Sequence, residues 1–194
     1  LQQTFRYPTE FTTLLYASQM LQAEAIKYGV EHFRRNRGRC MGAIYWQLND
    51  CWPVASWASV DYEGRWKALH YYAKRFFAPV MVSCEEQNWM TAEANMNREH
   101  FVYEKSIRLN VTNETLEDKK VLVKWALRNA DASVVKAEER EVTVPALSSV
   151  WLDKEEYPDV DVFGQYVSYE AWEGDTCISE GSVIFSYPKY FHYL

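Results

Sequence analysis

Trp46, Gln47, Asn49, Asp50 and Trp52 stand within residues 46–52 and set flat apolar indoles beside amide and carboxylate groups. A sugar is the complement of such a surface. Its C–H faces pack on aromatic rings, and its hydroxyls need donors and acceptors together. The competing reading is two core tryptophans, since Trp is highly buried on average. Residues 42–48 (Gly-Ala-Ile-Tyr-Trp-Gln-Leu) are apolar, aromatic and β-branched, which predicts a strand buried on both faces. The polar residues stand at its carboxyl end, where α/β sheets place their ligand sites.

A long helix must position that strand from one side. Phe11, Leu14, Leu15, Ala17, Met20, Leu21, Ala25, Ile26, Val30 and Phe33 recur at three- and four-residue intervals, one broad stripe running to about Arg37. Thr9 is the expected N-cap, with Thr12 and Thr13 as competitors, and Gly38 is a natural stop. Gly29, inside the stripe, marks either a weak point or close packing. The strand at 40–48 follows at once, then a loop over 54–63 and a turn at 62–64. A second helix is expected over 65–77, with Trp66, Leu69, Ala73 and Phe76 inward, ended by Ala78-Pro79. One parallel strand between two helices needs partners on both edges. Nothing before it in this chain supplies them, so the first third reads as the end of a larger sheet.

From Val80 the period changes to two. Alternating runs at 80–84, 101–111, 120–127, 134–144, 148–152, 166–172 and 182–186 are separated by turn residues such as Asn113-Glu114-Thr115 and Glu173-Gly174-Asp175. That pattern predicts an antiparallel sandwich of immunoglobulin-like size. The expected division is 1–79 and 80–194. Asn110-Val111-Thr112 and Asn113-Glu114-Thr115 match the glycosylation sequon, a short motif that arises by chance, and modification is not expected.

The 194 residues carry 48% apolar side chains, ample for a core, and 16% aromatics, which fits a β-rich or sugar-handling chain. Net charge is −6. The basic group Arg34, Arg35, Arg37 and Arg39 falls near a helix C-terminus, where it complements the dipole, so no nucleic-acid partner is expected. Cys40, Cys51, Cys84 and Cys177 are widely spaced and are read as free thiols. His32, His70, His100 and His192 lack metal-ligand spacing, so neither a metal nor another cofactor is expected. No apolar run is long enough for a membrane span. The missing initiator Met hints at a fragment. That leaves the compartment open, with cytoplasm favoured over periplasm or lysosome.

Residues 40–57, Cys-Met-Gly-Ala-Ile-Tyr-Trp-Gln-Leu-Asn-Asp-Cys-Trp-Pro-Val-Ala-Ser-Trp, resemble the last barrel strand and following loop of the β-mannosidases of glycoside hydrolase family two. The flanks agree: residues 17–23 resemble the preceding helix, residues 61–71 the entry to the last helix, and residues 185–191 the close of that family's small sandwich. The resemblance is specific over 15–80 and rests on order and architecture beyond. It implies an α/β fragment, the last helix–strand–helix of a (β/α)8 barrel, followed by an immunoglobulin-like sandwich. It also implies a parent enzyme that hydrolyses terminal β-mannosyl residues with retention. Such chemistry needs two carboxyl groups about 5–5.5 Å apart. The family's two glutamates would lie upstream of Leu1, so this chain has no catalytic residue and is expected to be inactive alone. The expected substrate-binding residues are Trp46, the implied floor of the sugar subsite, with Asn49, Asp50 and Trp52. Asn49 and Asp50 either bond hydroxyls or fix the loop. Trp52 and Trp57 also read as loop packing, Arg65 and Trp66 as helix-start packing, and His70 as structural.

The expected partners are a β-mannoside or manno-oligosaccharide, the remainder of the parent enzyme, and, for the isolated piece, a second copy through the unpaired strand. The alternative is a carbohydrate-binding sandwich, which would need Trp89, Trp125, Trp151 and Trp172 as an exposed platform. Trp125 shares a face with Val121 and Val123, which argues for core. An unrelated adhesion domain would leave the Trp-Gln-Leu-Asn-Asp stretch unexplained.

Overall fold

Alternation of period two organises everything after Pro79 in the computed structural model, which describes residues 1–86 and 102–194. The strands are β1 (Val80–Glu85), β2 (Ser106–Asn113), β3 (Lys119–Asn129), β4 (Val134–Val144), β5 (Ser148–Glu156), β6 (Gln165–Glu173) and β7 (Thr176–Ile184). They form two antiparallel sheets, ordered β1-β2-β5 and β4-β3-β6-β7. Along β3, Val121, Val123, Trp125 and Leu127 are buried. The register sets Val123 beside Ala171 and Leu127 beside Val167. Val82, Ile107, Leu109, Val111 and Leu152 fill the space from the other sheet. Each aliphatic side chain so buried contributes about 1.5–3 kcal/mol. The expected sandwich is therefore present. The expected strand at 101–111 begins at Ser106, and Phe101 and Trp89 lie outside the described residues.

Both sequon asparagines are 0% exposed. Asn113 is a corner knot: its Nδ2 reaches the carbonyls of Glu117 (2.8 Å), Val144 (3.1 Å) and Pro145 (3.1 Å). Its Oδ1 accepts from the Thr115 amide at 2.9 Å and the Thr115 hydroxyl at 2.7 Å. On β7, Gly181 pairs with Tyr169, and the buried Tyr169 ring lies where a Cβ on Gly181 would be, 2.5–2.6 Å away.

The first third departs from expectation in three places. Helix α1 spans Phe11–Arg35 with Glu10, not Thr9, at the cap position and no side-chain cap bond. Helix α2 spans only Ala68–Phe76. Its expected first turn is held elsewhere: Asp61 donates to the Arg65 carbonyl (3.0 Å), Val60 bridges Trp66, and the Lys67 amide donates to Ser59 (2.9 Å). Backbone groups tied to 59–61 cannot also start a helix, so Trp66 turns outward, 48% exposed, against the His70 and Tyr71 rings. Leu69, Ala73 and Phe76 do face inward. Residues 42–48, expected as a strand buried on both faces, make no ladder. The nearest pairing is an isolated parallel bridge between Asn49 and Val60. A buried strand requires neighbours on both edges, and among the described residues only 59–60 pair with its end, at Gln47 and Leu48.

The helix arginines fasten the two parts together. Arg34 donates to the Phe76 carbonyl (2.7 Å) and stands 3.8 Å from Glu114. Arg35, 3% exposed, donates to the Cys84 carbonyl of β1 at 3.2 Å. Arg37 bonds Glu114 and the Leu147 carbonyl. Arg34 and Arg35 stand in the last turn of α1, which fits the dipole reading, and Arg37 follows just past it; these contacts give all three a further role.

Candidate functional site

Ala23, Val30, Leu69, Ala73, Phe76 and Met81 form the small core between α1, α2 and β1, and Ala43 and Tyr45 pack on it. The Tyr45 ring stacks on Phe77 at 6.3 Å and meets Phe76 edge-on at 6.4 Å. Alternation then throws the intervening side chains outward: Ile44 is 99% exposed, Trp46 70% and Leu48 58%. The ribbon thus keeps a strand's two-sided pattern, with one side on helices and an apolar side uncovered. The Trp46–Gln47 peptide is cis.

A row of backbone bonds fixes the ribbon's end. The Ser59 amide donates to Gln47 (3.0 Å), the Val60 amide to Leu48 (2.9 Å), and the Asp50 amide to Val60 (3.0 Å). Ser59, fully buried, donates its hydroxyl to the Leu48 carbonyl at 2.9 Å and meets Tyr45 Oη and His70 Nδ1, each at 3.0 Å. His70 therefore has the structural setting expected of it. Gln22 of α1 donates to the Trp57 carbonyl at 2.7 Å and ties the following loop to the helix.

The expected site residues divide by orientation. Trp46 and Trp52 (61% exposed) face solvent, as do Trp57 and Asn49, whose Nδ2 bonds the Asp50 carbonyl at 3.2 Å. Asp50 turns inward and is 6% exposed. Ser56 donates to its Oδ1, and Lys67 Nζ stands 3.0 Å from its Oδ2. The Ser56 hydroxyl first, and Lys67 with it, hold the Asp50 carboxyl below the usual carboxylate range. A carboxylate so held does not donate a proton near neutrality. The neighbouring Asp61 is likewise engaged, by the Arg65 amide and guanidinium. The surface sets stacking faces beside amide groups, a chemistry that suits a polyhydroxylated ring, and among the described residues no acid–base pair faces it. Lys67, Ser56 and Ser59 were not singled out from the sequence, because their partners lie across loops and no local spacing marks them. All four cysteines are free. Among the described residues no group of three or more His, Cys, Asp or Glu could hold a metal ion, and no helix is long and apolar enough to cross a membrane.

Residues 105–190, within the sandwich, match the Mannosidase Ig/CBM-like domain. The particular resemblance is to β-mannosidases. The chain is 49% identical over 78 residues to the Capra hircus β-mannosidase, covering 37% of this chain and 9% of that protein. It is 41% identical over 100 residues to that of Mus musculus, covering 46% and 11%. The β-D-mannosidase from Dictyoglomus thermophilum superposes with a TM-score of 0.83 at 26% identity, over 99% of this chain and 22% of that one. An exo-chitosanase from Amycolatopsis orientalis, at 16% identity and a TM-score of 0.73 over 95% of this chain and 21% of that one, shares the fold. The chain is thus similar to the C-terminal part of a family-two β-mannosidase, and the first two matches span about a tenth of those relatives.

Proposed function

We propose that this chain is the C-terminal portion of a retaining β-mannosidase acting on terminal β-D-mannosyl residues. Residues 1–79 supply the last helix–strand–helix of a (β/α)8 barrel, and 80–194 a structural sandwich. The observation that carries the reading is the ribbon at 43–48. Ala43 and Tyr45 lie on the helices while Ile44, Trp46 and Leu48 stand uncovered, the pattern of a barrel strand whose neighbours come from elsewhere. Identity to β-mannosidases and the superposition over 99% of the chain support it.

In this reading Trp46 floors the sugar subsite, where its electron-rich face favours a developing oxocarbenium charge. Asn49 and Trp52 stand at the rim, and Asp50 belongs to the same wall. The substrate is a β-mannoside or manno-oligosaccharide, the other partner is the remainder of the enzyme, and the catalytic glutamates lie outside this chain. The isolated chain is therefore inactive on an aryl β-mannoside while the full-length protein turns it over. Turnover by the isolated chain overturns the placement of the glutamates. The uncovered ribbon also makes the isolated chain self-associate, and a strictly monomeric sedimentation profile at high concentration counts against that.

The alternative, a sugar-binding sandwich, is favoured by a groove of about 500 Å³ on the β4-β3-β6-β7 sheet, lined by Lys124, Trp125, Arg128, Glu139, Ser168 and Glu170. Its tryptophans argue against it. Trp125 is 5% exposed, the Arg108 guanidinium covers Trp151 at 4.6 Å, and the Lys124 ammonium covers Trp172 at 5.0 Å. Titration with manno-oligosaccharides, followed by Trp fluorescence in a chain carrying Trp46→Ala, decides between them.

A further inference from the structure

Asp50 is the one carboxylate among the expected site residues, yet it is the one that faces inward. The Asp50 and Lys67 side chains are 2% and 12% exposed and 3.0 Å apart. Lys67 Nζ also reaches the Ser56 hydroxyl at 3.3 Å and the Ser56 carbonyl at 3.5 Å, so its three donors are all directed. The same Lys67 donates its amide to Ser59, whose own amide holds Gln47. Four stretches of chain, at 47–50, 56, 59–60 and 67, are thereby clasped around one ion pair. A buried pair of charges is no better for stability than apolar groups of the same size. What it adds is direction, because each bond accepts one geometry.

We propose that Asp50 is a positioning residue: with Lys67 and Ser56 it sets the angle at which the 46–49 ribbon presents Trp46 and Asn49, and it does not touch substrate. This rests on the reading of Trp46 as the subsite floor. The Asp50 amide bond to Val60 and the Val60 amide bond to Leu48 carry the constraint from the carboxylate back along the ribbon. Trp46 lies two residues beyond, with its indole free of the clasp.

The test is made in the full-length protein with Asp50→Asn and with Asp50→Asn/Lys67→Met. The double variant leaves no buried charge unpaired, which protects the fold where the single variant loses it. Two readouts are used. Amide exchange reports the clasp directly: the amides of Asp50, Ser59 and Val60 exchange at least about tenfold faster in the double variant, while those of β3 and β6 are unchanged. Exchange within about twofold of the parent overturns the proposal. Kinetics on aryl β-mannosides report its consequence. Misplacement by about 1 Å costs on the order of 100-fold, so kcat falls by roughly 10- to 100-fold with KM held within about threefold. The loss is the same on each monodeoxy substrate. If Asp50 instead grips a hydroxyl, the variants lose little on the substrate lacking that hydroxyl, and the proposal fails. A wild-type protein that turns over no β-mannoside refutes the enzyme assignment, and amide exchange then still decides the role of Asp50.

Discussion

Replacing Trp46 by Ala separates binding from folding more cleanly than any other change in this chain. The indole is 70% exposed, so its removal forfeits little packing, and surface changes of this kind stay within about 0.5 kcal/mol. Against a sugar ring carrying developing positive charge, the same face is worth about 1–2 kcal/mol. At about 1.4 kcal/mol per tenfold, that is a fall in kcat/KM of roughly 5- to 30-fold. The assay is the full-length protein on an aryl β-mannoside, with thermal unfolding of the isolated chain, in which the indole is exposed, measured alongside. Phe76→Ala is the converse control. Its ring is 1% exposed and packed edge-on against Phe77 at 4.8 Å, so it loses about 3–5 kcal/mol of stability. If Trp46→Ala lowers stability as Phe76→Ala does, or leaves kcat/KM untouched, the orientation of the ribbon has been misread.

Other outcomes follow from single contacts. Gly181→Ala drives a methyl into the Tyr169 ring at 2.5–2.6 Å and lowers stability by about 1–3 kcal/mol in urea unfolding; a loss of equal size in a Tyr169→Leu background refutes the clash. Gly29→Ala finds no atom within 4 Å and raises stability by about 0.5–1 kcal/mol, a gain checked by the same titration. The Asp50 carboxyl is held low by Ser56 and Lys67. Its stabilisation is therefore full above the unfolded value of about 3.9 and is lost as pH falls through the lower folded value. Asp50→Asn/Lys67→Met removes that acid-side loss, and an unchanged pH profile of stability counts against the linkage.

Where local pattern and long-range pairing agree, the sequence is legible. β3 alternates as expected because its buried face repeats every second residue, and the expected strand at 134–144 has the bounds of β4 although only Val142 and Val144 of it are buried. The strand expected at 182–186 is instead Thr176–Ile184. Its first seven residues, Thr-Cys-Ile-Ser-Glu-Gly-Ser, hold one aliphatic side chain, and Gly181 lies beneath Tyr169, so no alternation announces it. Helix α2 starts late because Arg65–Lys67 pair with residues 59–61, a bond pattern invisible to periodicity. The candidate site divides in the same way. The indoles of Trp46 and Trp52 were legible by type. The inward turn of Asp50 was not, since its partner Lys67 is set by how the loop folds back.

The three arginines at the end of α1 have a consequence for how the molecule can be handled. Arg35 and Arg37 end on Cys84, Glu114 and Leu147 of the sandwich, and Arg34 stands 3.8 Å from Glu114 while donating to Phe76, so each half of the chain supplies polar partners to the other. The sandwich is therefore no portable cassette. Cut away, it would bare the Cys84 carbonyl and Met81, while the helix would keep guanidinium groups with nothing to grip. It serves instead as an abutment: the ribbon that carries Trp46 begins a few residues after Arg37, and it hangs from a masonry corner built more than forty residues further along the chain.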